Sequence, residues 1–432
     1  MTNHYHESMN ICILTSSFPS HPDDIVQVPF LVDFIKGLKK RGHQIFVFTQ
    51  DREGEKKEFL KSVRVKWFSW VKSKRPLVQL HPFNPMDFLR IVNLFYRGKE
   101  ALPPFLKENK IEACLALWVL PSGYFANQAY RQAKIPYSIW SLGSDIYRYG
   151  GNPFLYPMMR RIIQEARGVF ADGFDLSKRI EERFGRKCFF LATTRAIPAP
   201  PALSTPPNPP LAKGGEGGLL RGGQGGLRDK PYHFLFVGRI EKVKGIDLLL
   251  QSMAYLKEEE VNVHLTVVGR GGMEEWAKDF IKWKSLEEQV SWMGNVPDEM
   301  LASLYELSDC VVIPSRSESI PLVFSEALRF NKNLIVTDVG DMGMLGRQYG
   351  VAWVTPSENV MALKEMMKRR AELKENGKAE KDEEKKEELK RLFDIEASVE
   401  RFLADYKGEI KIGDTVDRVR GETIHERLLF RS

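Results

Sequence analysis

The chain reads Pro314-Ser315-Arg316-Ser317-Glu318-Ser319-Ile320-Pro321-Leu322-Val323-Phe324-Ser325-Glu326-Ala327-Leu328 directly after the apolar run Cys310–Ile313. A run of that kind fits a buried strand. Beyond it, Leu322, Val323, Ala327, Leu328 and Phe330 recur at helical spacing. Pro321 suits a first helical turn, where its missing N–H costs nothing, and Ser319 suits the cap. The expected unit is strand, polar loop, helix. Free N–H groups at Ile320, Leu322 and Val323 would then face whatever sits before the helix, a place that favours a phosphate.

Two glutamates sharpen that expectation. Glu326 falls about five residues into the helix, about 7.5 Å up its axis, and its side chain leans back toward the N-terminus. A diphosphate on the helix end would put a ribose near Glu326, whose carboxylate can accept both sugar hydroxyl protons. Glu318 stays in the loop, on the reactive side of the phosphates. The plain alternative is a pair of solvated glutamates.

The chain has 432 residues, 43% hydrophobic and 28% charged. That is ordinary globular composition with length for two cored domains. No run of about 18 apolar residues is present, so no transmembrane helix is expected. Residues 1–10 lack the apolar centre of a secretory signal. Met9 is a plausible start, which would leave residues 1–8 as a disordered extension. The four cysteines are Cys12, Cys114, Cys188 and Cys310. None is paired as C-x-x-C, and three sit in apolar runs. This usage fits a reducing cytoplasm and gives no zinc site. The net charge of +7 permits anionic ligands or a lipid surface without demanding nucleic acid.

Residues 11–15 read as a first strand, followed by the loop Ser16-Ser17-Phe18-Pro19-Ser20-His21-Pro22. Residues 29–40 read as an amphipathic helix with Phe30, Leu31, Phe34, Ile35 and Leu38 on one face. Arg41-Gly42-His43 ends it, and residues 44–49 form a second strand. Such a β-α-β unit predicts a parallel sheet. No G-x-G-x-x-G follows the first strand, which argues against a nicotinamide or flavin enzyme. Residues 66–75 are basic and aromatic. They read either as a surface for an anionic bilayer or as a strand with a solvated edge. Further strands are expected at 114–119, 137–140 and 168–171, with helices ending near 131, at 157–165 and at 176–184. Leu142-Gly143-Ser144-Asp145 lies where ligand loops sit in a doubly wound sheet. Asp145 is a candidate polar group there, or a turn or cap residue.

Residues 198–230 are Pro-rich, then Gly-rich, and predict a disordered linker. Alternation restarts at residues 233–237, where a strand precedes Gly238-Arg239-Ile240-Glu241-Lys242-Val243-Lys244-Gly245. Further strands are expected at 263–268 and 334–337, and a strand with its turn at 290–296. Residues 360–391 read as one or two Lys/Glu-rich helices with a solvated face, and 393–406 as a last packed helix. Gly238 lets backbone approach a ligand. Arg239 and Lys244, near one helix start, can neutralise charge on a departing diphosphate without a metal. Taken singly, they are surface cations on a loop.

In this order, Gly238-Arg239 and Lys244-Gly245, Val268-Gly269-x-Gly271, Met293-Gly294-x-Val296, Glu318-x7-Glu326-Ala327 and Val339-Gly340 resemble the donor domain of glycosyltransferase family 4. The first half, with its Ser-Ser-Phe-Pro loop and Leu-Gly-Ser-Asp, is similar to that family's acceptor domain. The resemblance covers most of residues 10–408. It implies an α/β GT-B fold, two Rossmann-like domains with parallel sheets facing across a cleft. The boundaries implied are an acceptor-side domain 1–197, a linker 198–230, a donor domain 231–395, and a C-terminal helix and tail 396–432.

The resemblance further implies a retaining, hexosyltransferase-type enzyme. It would move a sugar from a nucleotide-sugar to an acceptor hydroxyl in cell-surface polysaccharide or glycolipid synthesis. Arg239, Lys244 and Glu318 would be catalytic. Gly238, Gly269, Asn295, Val296, Ile320, Leu322, Val323 and Glu326 would bind the donor. Ser17, Phe18 and Asp145 would lie on the acceptor side. No cofactor and no metal is expected. The partners expected are the nucleotide-sugar and a glycan or lipid-linked acceptor, with no nucleic acid. The expected location is cytoplasmic, with room for peripheral contact at the inner membrane face. Four stretches depart from the family pattern: residues 23–27, Leu142, Pro321 and residues 341–344. A sugar-nucleotide epimerase of the same fold and a non-catalytic nucleotide-sugar-binding subunit are the two rival readings.

Overall fold

The apolar runs become strands of two separate parallel sheets. The computed structural model describes residues 8–21, 24, 28–52, 56, 60–73, 77, 80–81, 83–198, 230–373 and 383–407. The expected N-terminal extension, the linker and the tail lie outside these residues, apart from Ser8, Pro198 and Lys230, as does part of the 66–75 stretch. The described residues fall into two compact units, one from Met1–Arg195 with Phe393–Ser432, the other from Ala196–Leu392.

The first unit runs β1 (Asn10–Leu14), α1 (Pro29–Lys40), β2 (Gln44–Gln50), β3 (Arg64–Phe68), α2 (Pro85–Glu108), β4 (Ala113–Leu117), α3 (Tyr124–Ala133), β5 (Tyr137–Ser141), α4 (Ser144–Tyr149), α5 (Tyr156–Glu165), β6 (Val169–Ala171), α6 (Phe174–Phe184) and β7 (Phe189–Phe190). Its seven strands lie in the order β3-β2-β1-β4-β5-β6-β7, all parallel. Strands buried on both faces need continuous apolar runs rather than alternation, and β4 and β5 are buried at every position.

β3 supports the solvated-edge reading of residues 66–75. Arg64 and Lys66 point outward, and the two tryptophans turn inward. Trp67 packs 6.2 Å from Phe18 between ring centroids, and the Trp70 indole N–H donates to the Asp51 carbonyl at 2.6 Å. Helix α2 was not foreseen. Its signal is Asn84-Pro85: the Asn84 side chain accepts from the N–H of Met86 at 3.0 Å and of Asp87 at 3.1 Å, as a helix cap does. Pro103 and Pro104 lie inside it and mask its periodicity.

The second unit runs β8 (Tyr232–Val237), α7 (Ile246–Glu258), β9 (Val263–Val268), α8 (Glu274–Trp283), β10 (Val290–Gly294), α9 (Asp298–Leu307), β11 (Cys310–Ile313), α10 (Leu322–Arg329), β12 (Asn333–Thr337), α11 (Met342–Gln348), β13 (Ala352–Thr355), α12 (Val360–Glu372) and α13 (Glu383–Leu392). The six strands are parallel in the order β10-β9-β8-β11-β12-β13. Order runs one way from β8 to β10 and the other way from β11 to β13, so the reversal lies between β8 and β11. In doubly wound sheets ligands bind beyond the strand ends at this reversal.

The last helix, α14 (Ile395–Lys407), is part of the first unit, although the sequence had set residues 396–432 apart. Phe402 meets Phe34 of α1 with ring centroids 5.6 Å apart. The Tyr406 hydroxyl donates to the Cys114 carbonyl at 2.8 Å, and Arg41 binds Glu400 at 2.8 Å and also Glu396.

Candidate active site

Two loops dominate the reversal point of the second sheet, residues 238–245 after β8 and residues 314–321 after β11. They are packed backbone to backbone. Gly245 has φ +73°, and a Cβ there would lie 1.9 Å from the Pro314 carbonyl oxygen. Any larger residue would push the loops apart. The Arg316 N–H donates to the Val243 carbonyl at 2.8 Å.

The side chains repeat this join. The Lys244 ammonium donates to Glu318 Oε1, and the Ser315 hydroxyl donates to the same oxygen at 3.2 Å. Both members of the ion pair are mostly buried. Beside them, Arg316 donates to both oxygens of Asp247, at 2.6 and 2.9 Å. It also binds the Lys242 carbonyl and, at 2.6 Å, Glu358. The Asp247 hydrogen bonds raise the Arg316 guanidinium above its usual pKa against the opposing effect of burial, and Glu358 adds to them. Arg316 thus ties the turn carrying Lys244 to the loop carrying Glu318. Sequence reading passed over it because a lone Arg in a polar loop has no periodic signature.

Glu326 lies on α10 but not as an open carboxylate. It is 3% exposed, and the Tyr305 hydroxyl of α9 donates to its Oε2 at 2.6 Å. The Tyr305 ring stacks on Phe330 with centroids 5.0 Å apart. Two local expectations need correction. Pro321 is the N-cap with φ −73° and ψ 149°, not a first-turn residue, and no side chain caps the helix. Its ring fixes φ near −65° but leaves ψ free to be extended. Ser319 does not cap. Its hydroxyl is buried without a hydrogen-bond partner among the described residues, while its carbonyl accepts from the Asp341 N–H at 3.2 Å. The N–H groups of Leu322 and Val323 have no acceptor within their own helix, as at any helix start. Ile320 is buried.

The loops after β8, β9 and β10 close the near side of the same sheet edge. Gly238 N–H donates to the Val268 carbonyl at 3.0 Å, and Gly269 N–H to the Gly294 carbonyl at 2.8 Å. Gly269 has φ +135°, and a Cβ there would lie 1.9 Å from the Gly238 carbonyl. Asn295 is exposed and Val296 buried. Arg239 is half exposed and bound at 2.9 Å by both oxygens of Glu241. The two expected cations therefore have separate carboxylate partners. Among the described residues no group of three or more His, Cys, Asp or Glu side chains could hold a metal ion.

In the first unit, Ser17 and Phe18 follow β1 and Asp145 follows β5, all at strand carboxyl ends. Thr15 Oγ1 donates to the Ser17 carbonyl at 3.0 Å, and Phe18 is buried. Asp145 is 3% exposed and accepts from the Val119 N–H at 2.5 Å. Burial pushes its carboxyl pKa up to about 6, against backbone hydrogen bonds from Val119, Ile146 and Leu120 that lower it. It holds the chain entering α3 rather than presenting a carboxylate.

Residues 223–389 match the family model described as glycosyl transferases group 1. The matched segment contains every residue of the Lys244–Glu318 join. An uncharacterized glycosyltransferase of Methanocaldococcus jannaschii is 32% identical over 131 residues, 30% of this chain and 33% of that protein. The chain spans about a third of the length of the curated relatives it matches. Over almost the whole chain the fold is that of GT-B proteins. Sucrose-phosphate synthase from Thermosynechococcus elongatus superposes with TM-score 0.66 and 17% identity, covering 92% of this chain and 98% of that one. Anabaena HepE in complex with UDP superposes with TM-score 0.62 and 16% identity, covering 93% of this chain and 100% of that one.

Proposed function

We propose that the chain is a retaining glycosyltransferase of family 4 that takes a hexosyl group from a nucleotide-sugar and passes it to an acceptor hydroxyl. The observation that carries the reading is the Lys244–Glu318 ion pair at the strand-order reversal. An ammonium at that point, beside the start of α10, is where a diphosphate is stabilised. HepE, which shares the fold, was solved with UDP.

In this reading the donor diphosphate lies against the first turn of α10. Lys244 and Arg239 exchange their carboxylates for phosphate oxygens. As the bond from the anomeric carbon to the diphosphate oxygen breaks, negative charge grows on the leaving group, and the two cations stabilise it without a metal. The acceptor oxygen forms its bond to the anomeric carbon on the face the diphosphate leaves. Its proton passes to the departing phosphate, so configuration is retained. Glu318 contacts the donor sugar and Glu326 holds the ribose. Main chain at Gly238, Gly269, Asn295 and Val296 surrounds the base. The Ser17–Phe18 loop lies on the acceptor side, where Asp145 acts by shaping backbone. The acceptor class is a glycan or lipid-linked glycan of the cell surface. All four cysteines are buried free thiols, which supports work in a reducing compartment.

The test is a thermal-shift screen with UDP-, GDP- and ADP-sugars. One of them should raise the melting temperature of the native chain and not of Lys244→Ala. No shift with any of them, or equal shifts in both proteins, would overturn the reading.

A further inference from the structure

Helix α8 of the second unit carries an aromatic stripe on its solvent side. Ala277 and Ile281 face inward and are buried. Trp276, Phe280 and Trp283 follow one another within about a 60° arc of the helix. Trp276 and Phe280 stack with ring centroids 5.2 Å apart, and Trp283 meets Phe280 edge-on at 5.7 Å. Phe280 also packs against the core of its unit, but Trp276 is 39% exposed and Trp283 73%. Contiguous exposed rings of this kind mark a surface that is covered in use.

The charged residues of α8 divide into two groups. Glu274 and Lys278 pair with each other at 2.7 Å, and Lys278 also lies over the Trp292 ring of β10. Glu275, Asp279 and Lys282 are exposed and have no hydrogen-bond or ion-pair partner among the described residues. At about 100° per residue these three fall along one flank of the stripe. The two acids come first and the base last, so the flank is complementary to its own reverse.

We propose that α8 packs antiparallel against α8 of a second copy of the chain, about a two-fold axis level with Asp279 and Phe280. Such an isologous contact sets the same patch on both sides. Trp276 of each copy then meets Trp283 of the other, with the two Phe280 rings between these pairs. The two-fold keeps the charged flanks of both copies on the same side. Lys282 of each copy comes within about 3 Å, measured along the axis, of both Glu275 and Asp279 of the other. Aromatic anchors at the centre and charges at the rim are the usual anatomy of a protein interface. An anionic lipid surface fits this face poorly, because Glu275 and Asp279 would meet headgroups of their own sign. A glycan needs open ring faces, whereas Trp276 and Phe280 cover each other and the Lys284 ammonium lies 4.6 Å from the Trp283 ring centroid. Three partly covered rings per copy make a small core, so the association belongs to the weak, concentration-dependent class.

The experiment is sedimentation velocity of the full chain over about a hundredfold range of concentration. The native chain should pass from monomer to dimer within that range. Trp283→Glu, at the most exposed ring, should weaken the dimer at least about tenfold with an unchanged melting temperature. The charged flank is tested by exchange. Lys282→Glu alone leaves three acids along the flank, and Glu275→Lys with Asp279→Lys leaves three bases, so each of these proteins should stay monomeric by itself. Mixed in equal amounts they should recover the dimer, because each then meets its complement. A native chain that stays monomeric throughout, native association by Trp283→Glu, or a mixture of the two charge variants that remains monomeric would overturn the proposal. The assay reads association and no sugar transfer, so its failure leaves the enzymatic reading untouched.

Discussion

Lys244, after the first strand of the second sheet, and Glu318, after the fourth, form an ion pair across the point where strand order reverses. The pair neutralises a cation in a half-closed niche. A bound diphosphate would compete with Glu318 for the ammonium and free the carboxylate for the donor sugar. Both members are placed by backbone, through the Gly245–Pro314 approach, before any ligand arrives.

Arg316 should govern that placement. Arg316→Ala removes the fork on Asp247, whose hydrogen bonds to charged groups are worth about 1.5–3 kcal/mol each, and lets the turn carrying Lys244 move. Urea unfolding should shift to lower denaturant, and the turnover number should fall on the order of tenfold with a smaller change in KM. Arg316→Lys, which cannot reproduce the fork, should restore only part of it. Native stability and turnover in both variants would contradict this role.

Tyr305→Phe keeps the stack on Phe330 and deletes only the hydroxyl that donates to Glu326. A buried carboxylate that loses a donor costs about 1–3 kcal/mol, to be read by chemical denaturation. If Glu326 holds the ribose, the same variant should weaken nucleotide affinity more than it changes the rate at saturation.

Asp145 supplies a pH dependence with a definite sign. Its carboxyl is raised from the usual 3.8 to about 6 by burial, so between those values the folded chain holds a proton that the unfolded chain has released. Its contribution to stability is fully present below about pH 4 and is lost as pH rises to about 6. At about 1.4 kcal/mol per unit the change is on the order of 3 kcal/mol. Melting temperatures measured across that window should fall less with rising pH in Asp145→Asn than in the native chain. Parallel curves for the two proteins would contradict the assignment.

Much of the second unit was legible because its strands are short apolar runs and its loops carry glycines and charges between them. The strand–loop–helix around Glu318 is an example, and so is the pairing of the 238–245 loop with it. What stayed hidden depends on partners far away in sequence. Glu326 looks solvent-facing until Tyr305, twenty-one positions earlier, closes over it. Asp145 looks like a ligand until the Val119 N–H is found against it. The return of residues 395–407 to the first unit has no local signal, since an amphipathic helix does not name the surface it packs on. Ser319 and Pro321 failed as helix-start signals because the loop's own hydrogen bonds, to Asp341 in particular, set its backbone.

The most direct test of the central claim is the turnover of nucleotide-sugar by Lys244→Ala, read as transfer or donor hydrolysis with the fold verified by melting temperature. The donor is the one selected by the thermal-shift screen. Losing the cation that faces the leaving diphosphate should lower the rate on the order of 10²- to 10³-fold with the fold retained. A rate within about twofold of native would show that Lys244 does not face the leaving group.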